Sequence, residues 1–407
     1  MQLFDDLEDF GEFDDFVSGD VRDPYTELAR LRREEQVQKI EIPCMPGQEG
    51  KPIVIVYRYE EAQQLLRDNE TFSSSIIVQA FGDVFGKHVM LGMDEPEHGR
   101  HRSLVAKAFS PKVLARWEDG LVTRIGNALI DRFADRGSVD LVKEFNFPYP
   151  TLIIAGLLGL PQEDYSQFQK WSISLLSFTV NAERGREASH ALAEYFAPIL
   201  AARRNDPRDD LISRLATAEI DGEKLSDEEI FSFLRLLLPA GVETTYRALG
   251  NLLFGLLSNR GQLDAVRSDR SLLPQAIEEA VRWEPPLIMI TRVATRDTEL
   301  GGVAIPQGSS VMPVLGAANR QGERFDDPDR FDIFREAKAN LGWGHGVHVC
   351  LGMHLARLEM RVALNLLLDR LPNLRFDPDA GDPYIRGQAF RSPTALPVLF
   401  DTTRSDQ

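Results

Sequence analysis

The chain has 407 residues, of which 43% are apolar and 27% are charged, so it has ample material for a hydrophobic core. Its net charge of −17 argues against nucleic acid as a partner, because nucleic acids attract basic surfaces. The sequence has no apolar signal core and no uninterrupted apolar run of about 18 residues, and Cys44 and Cys350 do not suggest a disulfide framework. We therefore expect a cytoplasmic protein with no membrane span.

Residues 1–20 form an acidic N-terminal segment with eight acidic residues and no base, and Phe4, Phe10, Phe13 and Phe16 alternate with the acids. This charge density predicts a mobile or loosely docked segment, although the phenylalanines could instead hold it against the body. No internal repeat or low-complexity linker follows. We therefore treat residues 21–407 as a single domain.

The segments that follow predict a helix at 24–33 and a hairpin with strands at 37–42 and 52–56. Helical patterns then dominate from about residue 97 to residue 284. Strand-like runs return at 303–305 and 310–315, and again after Pro383. Strands on both sides of a helical region predict one sheet assembled from distant parts of the chain, and hence a mainly α fold with a small β region.

The longest helical pattern begins at a capping-box signature, Ser226 and Glu229, and continues to about Leu257. It is apolar on nearly every side, which predicts that it crosses the protein interior. Pro239 interrupts the pattern and removes a backbone donor, so we expect a kink that frees the Arg235 carbonyl.

Two pairs of polar residues in helical segments are candidates for a chemical or structural role. Glu243 and Thr244 lie in the middle of the apolar helix, where burying polar groups is costly unless they serve a cavity. The alternative is a kinked core helix with two solvated polar residues. Glu279 and Arg282 are three residues apart on a later short helix, a spacing that by itself indicates only a surface ion pair.

The segment 343–352 surrounds Cys350 with three glycines, Gly344, Gly346 and Gly352, just before an amphipathic run. The glycines allow the backbone to approach a flat, bulky group. A cysteine at a helix start is favoured as a thiolate, the form that ligates metals. No second cysteine lies nearby to complete a zinc or iron–sulfur site, which favours one axial bond to the iron of a porphyrin. The alternative is a small buried residue in a turn.

This segment resembles the haem-binding loop of the cytochromes P450, Phe-Gly-x-Gly-x-His-x-Cys-x-Gly, with Trp343 in place of phenylalanine. Residues 240–244 resemble the family's oxygen-binding motif, and 279–282 resemble its Glu-x-x-Arg pair. The resemblance implies the P450 fold, a helix-rich triangular prism with haem b (iron protoporphyrin IX) between the long central helix and the helix after the cysteine. Cys350 would be the thiolate ligand of the iron.

The same resemblance implies roles for other residues. Thr244 would hydrogen-bond the bound oxygen species, Glu243 would relay protons from solvent, and Glu279 with Arg282 would be a structural pair. The residues expected to contact haem, by its propionates or in the loop, are His98, Arg102, Arg292, His348, Trp343, Gly344, Gly346 and Gly352. Those expected to line the substrate pocket are Ala240, Leu287, Ile288, Ile290, Phe81, Phe85 and Phe390.

The run from 98 to 116 has five bases and no acid. Together with two bases after the cysteine, it predicts a basic patch that steers an acidic ferredoxin to the thiolate side, the alternative being scattered surface charge. The seven residues are Arg100, Arg102, Lys107, Lys112, Arg116, Arg357 and Arg361.

The sequence therefore predicts a monomeric haem-thiolate monooxygenase that inserts one oxygen atom of O₂ into a hydrophobic organic substrate. Electrons would come from NAD(P)H through a ferredoxin reductase and a ferredoxin. A terpenoid, steroid, fatty acyl or aromatic compound would suit the apolar pocket. The alternatives are a non-catalytic haem protein that binds a gas or small ligand, and a peroxide-driven peroxygenase. The peroxygenase is disfavoured because such members of the family usually lack the pair kept here as Glu243 and Thr244.

Overall fold

The structure, a computed structural model, describes residues 19–41, 50–176 and 181–402. Most of the acidic N-terminal segment and Cys44 lie outside these ranges, so the predictions made for them are not addressed by the fold. None of the described helices is long and apolar enough to cross a membrane.

Helices make up most of the described chain. In chain order the α-helices are α1 (Tyr25–Glu34), α2 (Tyr59–Arg67), α3 (Ile76–Phe85), α4 (Glu97–Ala106), α5 (Pro111–Leu114), α6 (Arg124–Ile130), α7 (Pro148–Leu157), α8 (Tyr165–Leu176), α9 (Ala182–Asn205), α10 (Leu211–Thr217), α11 (Asp227–Ser258), α12 (Arg260–Ser268), α13 (Leu273–Trp283), α14 (Leu315–Ala318) and α15 (Met353–Arg370). Two π-helical segments, Glu118–Thr123 and Val142–Asn146, adjoin α6 and α7.

The strands are short and lie mainly towards the two ends of the chain. They are β1 (Val37–Ile40), β2 (Ile53–Val56), β3 (Phe72–Ser73), β4 (Ser138–Asp140), β5 (Glu219–Ile220), β6 (Glu223–Lys224), β7 (Arg292–Ala294), β8 (Thr298–Leu300), β9 (Val303–Ile305), β10 (Ser310–Pro313), β11 (Arg375–Phe376), β12 (Ile385–Arg386), β13 (Ser392–Pro393) and β14 (Pro397–Leu399).

The largest sheet has the strand order β1-β2-β10-β7-β3. β2 and β10 pair in parallel, with Ile53 beside Ser310 and Val56 beside Pro313. The other neighbours in this sheet are antiparallel. A parallel pair cannot be closed by a hairpin, so the helical region lies in the connection between these two strands. The predicted sheet from distant parts of the chain, and the mainly α class, are confirmed.

The central helix α11 positions the site. It begins at the predicted capping box, in which Ser226 and Glu229 bond each other's backbone N–H groups, and it ends one residue beyond the predicted Leu257. It packs against α7, α13 and α15 within the main hydrophobic core. The helix assignment continues through Pro239, so a kink at that residue stays a prediction.

One buried acid in this core has a consequence for stability. Glu359 on α15 is 1% exposed, and its Oε2 has no hydrogen-bond partner in the described part of the chain. Burial raises the pKa of the Glu359 carboxyl well above its ordinary value of 4.5. Folding therefore favours the protonated form, and the fold loses stability as the pH rises above 4.5, because the unfolded chain releases this proton first.

We expect Glu359→Gln to abolish this loss, because glutamine keeps the shape of the protonated acid and does not ionise. Each unit of pKa difference corresponds to about 1.4 kcal/mol. Urea unfolding of the holoprotein at acid and at mildly alkaline pH measures the effect. Asp369→Asn is the control on the same helix, since Asp369 is exposed and pairs with Arg270. An unchanged pH dependence in Glu359→Gln would contradict the assignment.

Candidate functional site

The loop before α15 is shaped by its glycines. Gly344 and Gly346 have φ values of 75° and 72°, in the left-handed region that favours glycine. A Cβ on Gly346 would lie 2.3 Å from the Leu66 carbonyl oxygen, so only glycine lets the loop pack against the end of α2. The Cys350 N–H donates to the Trp343 carbonyl at 2.8 Å and closes the loop. Apart from its chain neighbours, no heavy atom of the described residues lies within 4 Å of a Cβ built on Gly352, so that side of the loop is open.

Cys350 is exposed to solvent on one side. On its other sides many protein atoms surround the thiol and reduce its hydration. Burial raises the pKa of the Cys350 thiol above its ordinary value, whereas the N–H groups of Gly352 and Met353 and the charge of Arg102 lower that pKa. The helix start thus lowers the thiol pKa, as predicted. Without a bound metal ion, however, burial raises that pKa by more than the helix start lowers it. A bound metal ion is what holds such a sulfur as a thiolate.

Four predicted propionate partners come together beside the loop. The rings of His98 and His348 lie 4.0 Å apart. Arg102 donates to the Val349 carbonyl at 2.6 Å. Burial, followed by the neighbouring His98, Arg292 and Arg102, lowers the pKa of His348 to about 3. Burial also lowers the pKa of Arg292 to about 10, an effect that Asp94 partly opposes. His98 and Arg292 are buried, whereas Arg102 and His348 keep part of their surface accessible.

The two arginines of this cluster have no paired carboxylate in the described part of the chain, whereas His98 Nδ1 lies 3.2 Å from Glu95 Oε1. Among residues 19–41, 50–176 and 181–402, neither Arg102 nor Arg292 lies within 4.0 Å of a carboxylate oxygen. His98 is 1% exposed, and its Nε2 has no hydrogen-bond partner in those ranges. Buried cations normally have a paired carboxylate. Two guanidinium groups without a carboxylate, and a His98 Nε2 without a partner among the described residues, therefore fit the two propionates of a haem.

If the cluster holds propionates, Arg292→Ala should increase the rate of haem loss, because a buried charge-assisted bond is removed. Arg102→Ala and His98→Ala should act in the same direction. Transfer of haem to apomyoglobin measures the rate. Arg296→Ala is the control, because exposed Arg296 donates to Thr71 Oγ1 outside the cluster. Equal rates in Arg292→Ala and Arg296→Ala would argue against a propionate role.

Thr244, the residue predicted to hydrogen-bond bound oxygen, lies on an accessible face of α11. Leu236, Ala240 and Thr244, spaced four residues apart, retain accessible surface where most of the helix around them is buried. Thr244 Oγ1 donates to the Ala240 carbonyl at 2.7 Å. The hydroxyl proton is used in this helical hydrogen bond. The lone pairs of the hydroxyl oxygen can therefore still accept a hydrogen bond from water or a bound molecule. This accessible face is where a bound group could approach the helix.

Glu243 differs from the sequence prediction in its surroundings. It is 2% exposed, so its carboxylate has no broad contact with solvent from which to relay protons. Arg247 donates to Glu243 Oε1 from Nε at 2.7 Å and from Nη2 at 2.6 Å. Arg247 is itself fully buried and donates to Ser392 Oγ at 3.0 Å. Sequence reasoning missed Arg247, although an acid and an arginine four residues apart in an apolar helix signal such a pair.

Glu279 and Arg282 form a buried bidentate ion pair rather than the surface contact that spacing alone indicated. Arg282 donates from Nε at 2.7 Å and from Nη2 at 2.8 Å, and both side chains are less than 5% exposed. Arg282 also donates to the carbonyls of Asn319, Pro328 and Arg330. The pair thus joins α13 to the chain segment that leads to the cysteine loop.

The predicted pocket residues divide into two groups. Ala240, Phe81, Leu287, Ile290 and Phe390 keep accessible surface, and Leu287 forms a β-bridge with Phe390. Ile288 is 1% exposed and contacts the α14 backbone at Gly316, while Phe85 is 5% exposed within the main core. These last two residues are therefore packing residues of the fold and not accessible pocket walls.

An open groove of about 940 Å³ lies beside the cysteine loop, bordered by Trp343, Val349, Arg357 and Arg361. Trp343 Nε1 donates to Glu278 Oε2 at 3.1 Å, and Arg357 Nε donates to Glu278 Oε1 at 2.6 Å. The guanidinium of Arg357 lies 5.1 Å from the centre of the indole ring. A phenylalanine could not make the indole hydrogen bond, so Trp343 ties the loop to α13.

Comparisons with known proteins agree with this site. A family model described as Cytochrome P450 matches residues 166–383. Cytochrome P450 107B1 of Saccharopolyspora erythraea is 39% identical over 393 residues, which cover 91% of this chain and 94% of the relative. Erythromycin C-12 hydroxylase of the same organism is 40% identical over 334 residues, or 80% of this chain and 83% of the relative.

Among solved structures, cytochrome P450 CYP109Q5 from Chondromyces apiculatus matches with a TM-score of 0.85 and 35% identity, covering 94% of this chain and 96% of that chain. The predicted family and the P450 fold are thereby confirmed, as is the enzyme class. The chain belongs to the cytochrome P450 family of monooxygenases.

Proposed function

We propose that the protein is a haem-thiolate monooxygenase that hydroxylates or epoxidises a hydrophobic substrate, with Cys350 as the axial ligand of haem b. The observation that carries this proposal is that Arg102 and Arg292 have no carboxylate partner among the described residues, next to the unpartnered Nε2 of buried His98 and the exposed Cys350. A bound group that brings two carboxylates and a metal ion would satisfy both features.

When bound, thiolate-ligated haem supplies the reduction of O₂, in which two electrons and two protons convert one oxygen atom to water while the other enters the substrate. Thr244 offers a hydrogen-bond acceptor on the accessible face of α11 and can hold a water there. Glu243, at the adjoining position and oriented by Arg247, would pass protons within the protein interior, because its burial keeps it away from bulk solvent. An acid and a hydroxyl on neighbouring residues suit controlled proton delivery.

A ferredoxin-type donor is the electron source in this proposal, and the open groove beside Trp343 supports a docking site on the cysteine-loop side. The predicted basic patch is smaller than expected. Arg357 pairs with Glu278, Arg361 with Glu118, and Arg100 with Glu229. Arg102 is partly buried and lies beside Cys350. Lys107, Lys112 and Arg116 remain exposed and form no ion pair with the described residues, so they would supply most of the steering charge.

The substrate is proposed to be a large apolar molecule, because Phe81, Leu287, Ile290 and Phe390 offer apolar accessible surface. Relatedness to an erythromycin C-12 hydroxylase adds macrolides to the steroid, terpenoid, fatty acyl and aromatic classes. A screen of these classes for a low-spin to high-spin shift of the haem spectrum identifies the class. A cytoplasmic location and a monomeric state stay predictions.

Thr244→Ala tests the monooxygenase function. We expect substrate binding and NADH consumption to persist, while product formation falls and hydrogen peroxide rises, because the hydroxyl that holds water near the bound oxygen is lost. Glu243→Gln should instead slow turnover. Product and peroxide measured per NADH consumed, with ferredoxin and its reductase, report the outcome.

Thr217→Ala is a matched control, because Thr217 Oγ1 donates to the Ser213 carbonyl at 2.7 Å on α10, as Thr244 does to Ala240 on α11. Unchanged coupling in Thr244→Ala would remove Thr244 from the mechanism. Substrate turnover with hydrogen peroxide but not with NADH would identify a peroxygenase, and no turnover with either would favour a non-catalytic haem protein.

A further inference from the structure

A second cluster of metal-ligating side chains lies apart from the cysteine loop, where α4 meets the start of α11. His88, Glu97 and His101 each offer one ligand atom, and these atoms all lie within 4.8 Å of one another. His88 Nδ1 is 3.7 Å from Glu97 Oε1, and the two imidazole rings are nearly parallel, at 12°. Glu97 and His101 are one helical turn apart on α4, so both face the same side.

A fourth potential ligand comes from α11. Glu229 Oε1 is 2.8 Å from His101 Nε2, and both side chains are less than 10% exposed. The Ser226 N–H donates to the other carboxylate oxygen of Glu229 at 2.7 Å, which orients the acid towards His101. Glu229 thereby adds a second carboxylate beside His101, next to the group that His101 forms with His88 and Glu97.

The hydrogen bonds of His101 show which nitrogen a cation would meet. His101 Nδ1 lies 3.1 Å from the Glu97 carbonyl, which can only accept, so Nδ1 carries a proton. The other nitrogen, Nε2, then points its lone pair at the Glu229 carboxylate. Two electron-rich atoms at this distance need a proton or a metal ion between them. A backbone carbonyl that fixes the tautomer of a histidine is the usual arrangement behind a metal-binding imidazole.

Arg100 already supplies part of the missing positive charge. Its Nη2 donates to Glu229 Oε1 and lies 3.5 Å from His101 Nε2. The Arg100 side chain is 35% exposed, and its Nη1 is 3.8 Å from the exposed Glu223. Arg100 can therefore shift towards Glu223 and leave Glu229 to an incoming ion. Arg100 therefore competes with the ion for Glu229. Removing a ligand should weaken ion binding, and removing Arg100 should strengthen it.

We propose that His88, Glu97, His101 and Glu229 form a binding site for a borderline divalent cation of the Zn²⁺ type. Imidazole nitrogens favour such ions over Mg²⁺ and Ca²⁺, which prefer all-oxygen ligands. Tetrahedral zinc with bonds of about 2.0–2.2 Å requires ligand atoms roughly 3.3 Å apart, so a modest closure of the half-exposed His88 and Glu97 completes the site. The ion would join the segment after α3 to α4 and to the first turn of α11.

Isothermal titration of the haem-loaded protein with Zn²⁺ tests this site, in a Cys44→Ser background that removes a competing thiol. We expect one equivalent to bind with micromolar affinity. His88→Ala and Glu97→Gln, at partly exposed positions where folding is not at risk, should each weaken binding at least about tenfold. Arg100→Met should strengthen binding several-fold, because the competing charge is removed.

His190→Ala is the matched control. His190 and Glu194 form an exposed i,i+4 pair at 3.5 Å on α9, with the same residue types but no second histidine. The His190→Ala variant should bind Zn²⁺ with the same affinity and stoichiometry as the parent protein. The proposal is overturned if the parent shows no binding at submillimolar Zn²⁺, in which case His101 holds a proton against Glu229. It is also overturned if His88→Ala binds as tightly as the parent.

Discussion

Replacing Cys350 with histidine should abolish the strongly red-shifted Soret band that the reduced protein gives with carbon monoxide. That band requires a thiolate ligand to the haem iron, and histidine supplies a neutral nitrogen instead. The variant should keep part of its haem, because His98, Arg102 and Arg292 are not altered. Difference spectra of the reduced protein, with and without carbon monoxide, measure the band, and the pyridine haemochrome measures total haem.

The second cysteine provides the control for this experiment. Cys44→Ser should retain the band at full intensity. Loss of the band in Cys44→Ser together with its retention in Cys350→His would show that the ligand had been misassigned. The loop geometry makes that outcome unexpected, because the Cys350 N–H bond to Trp343 and the open side at Gly352 set this sulfur beside an accessible space.

Arg282→Ala should leave little folded holoprotein. The substitution removes the bidentate partner of the Glu279 carboxylate, which is 4% exposed and keeps, as an ion pair among the described residues, only the longer contact with Arg335 at 3.4 Å, and breaking a buried pair from one side costs about 3–5 kcal/mol. It also removes the donor that holds the carbonyls of Asn319, Pro328 and Arg330. Expression yield, haem content and urea unfolding together measure the loss.

Arg267→Ala is the matched control, because Arg267 and Asp264 are also three residues apart on a helix but are more exposed, at 3.4 Å. Exposed pairs contribute little to stability, so the control should fold normally. A double variant, Arg282→Leu with Glu279→Leu, should recover part of the stability lost in Arg282→Ala, because no buried charge is left alone. Normal yield and stability in Arg282→Ala would show that the pair does not brace the fold.

The local features of this protein were readable in its sequence. The capping box at Ser226 and Glu229, the strand at 303–305 and the segment around Cys350 depend on neighbouring residues, and short-range rules describe them. The loop motif also identified the family, because its glycines, histidine and cysteine occur at a spacing that few other proteins share.

The surroundings of each polar group were decided only by the tertiary structure. Glu279 with Arg282 and Glu243 with Arg247 follow spacings that also suit surface pairs, and only the packing of α13 and α11 shows that both pairs are buried. Ile288 is apolar like its neighbours, yet it is buried against α14.

Charge shows the same limit of sequence reasoning. The run from 98 to 116 is basic in sequence, but Glu229 from α11 neutralises Arg100, and Arg102 is partly buried beside Cys350. The proximity of His88, Glu97, His101 and Glu229 could not be foreseen, because Glu229 is more than a hundred residues from the others. Sequence determines which groups are present and how each helix begins. Burial and long-range contacts, which arise when distant segments pack, determine which of those groups are charged, paired and accessible.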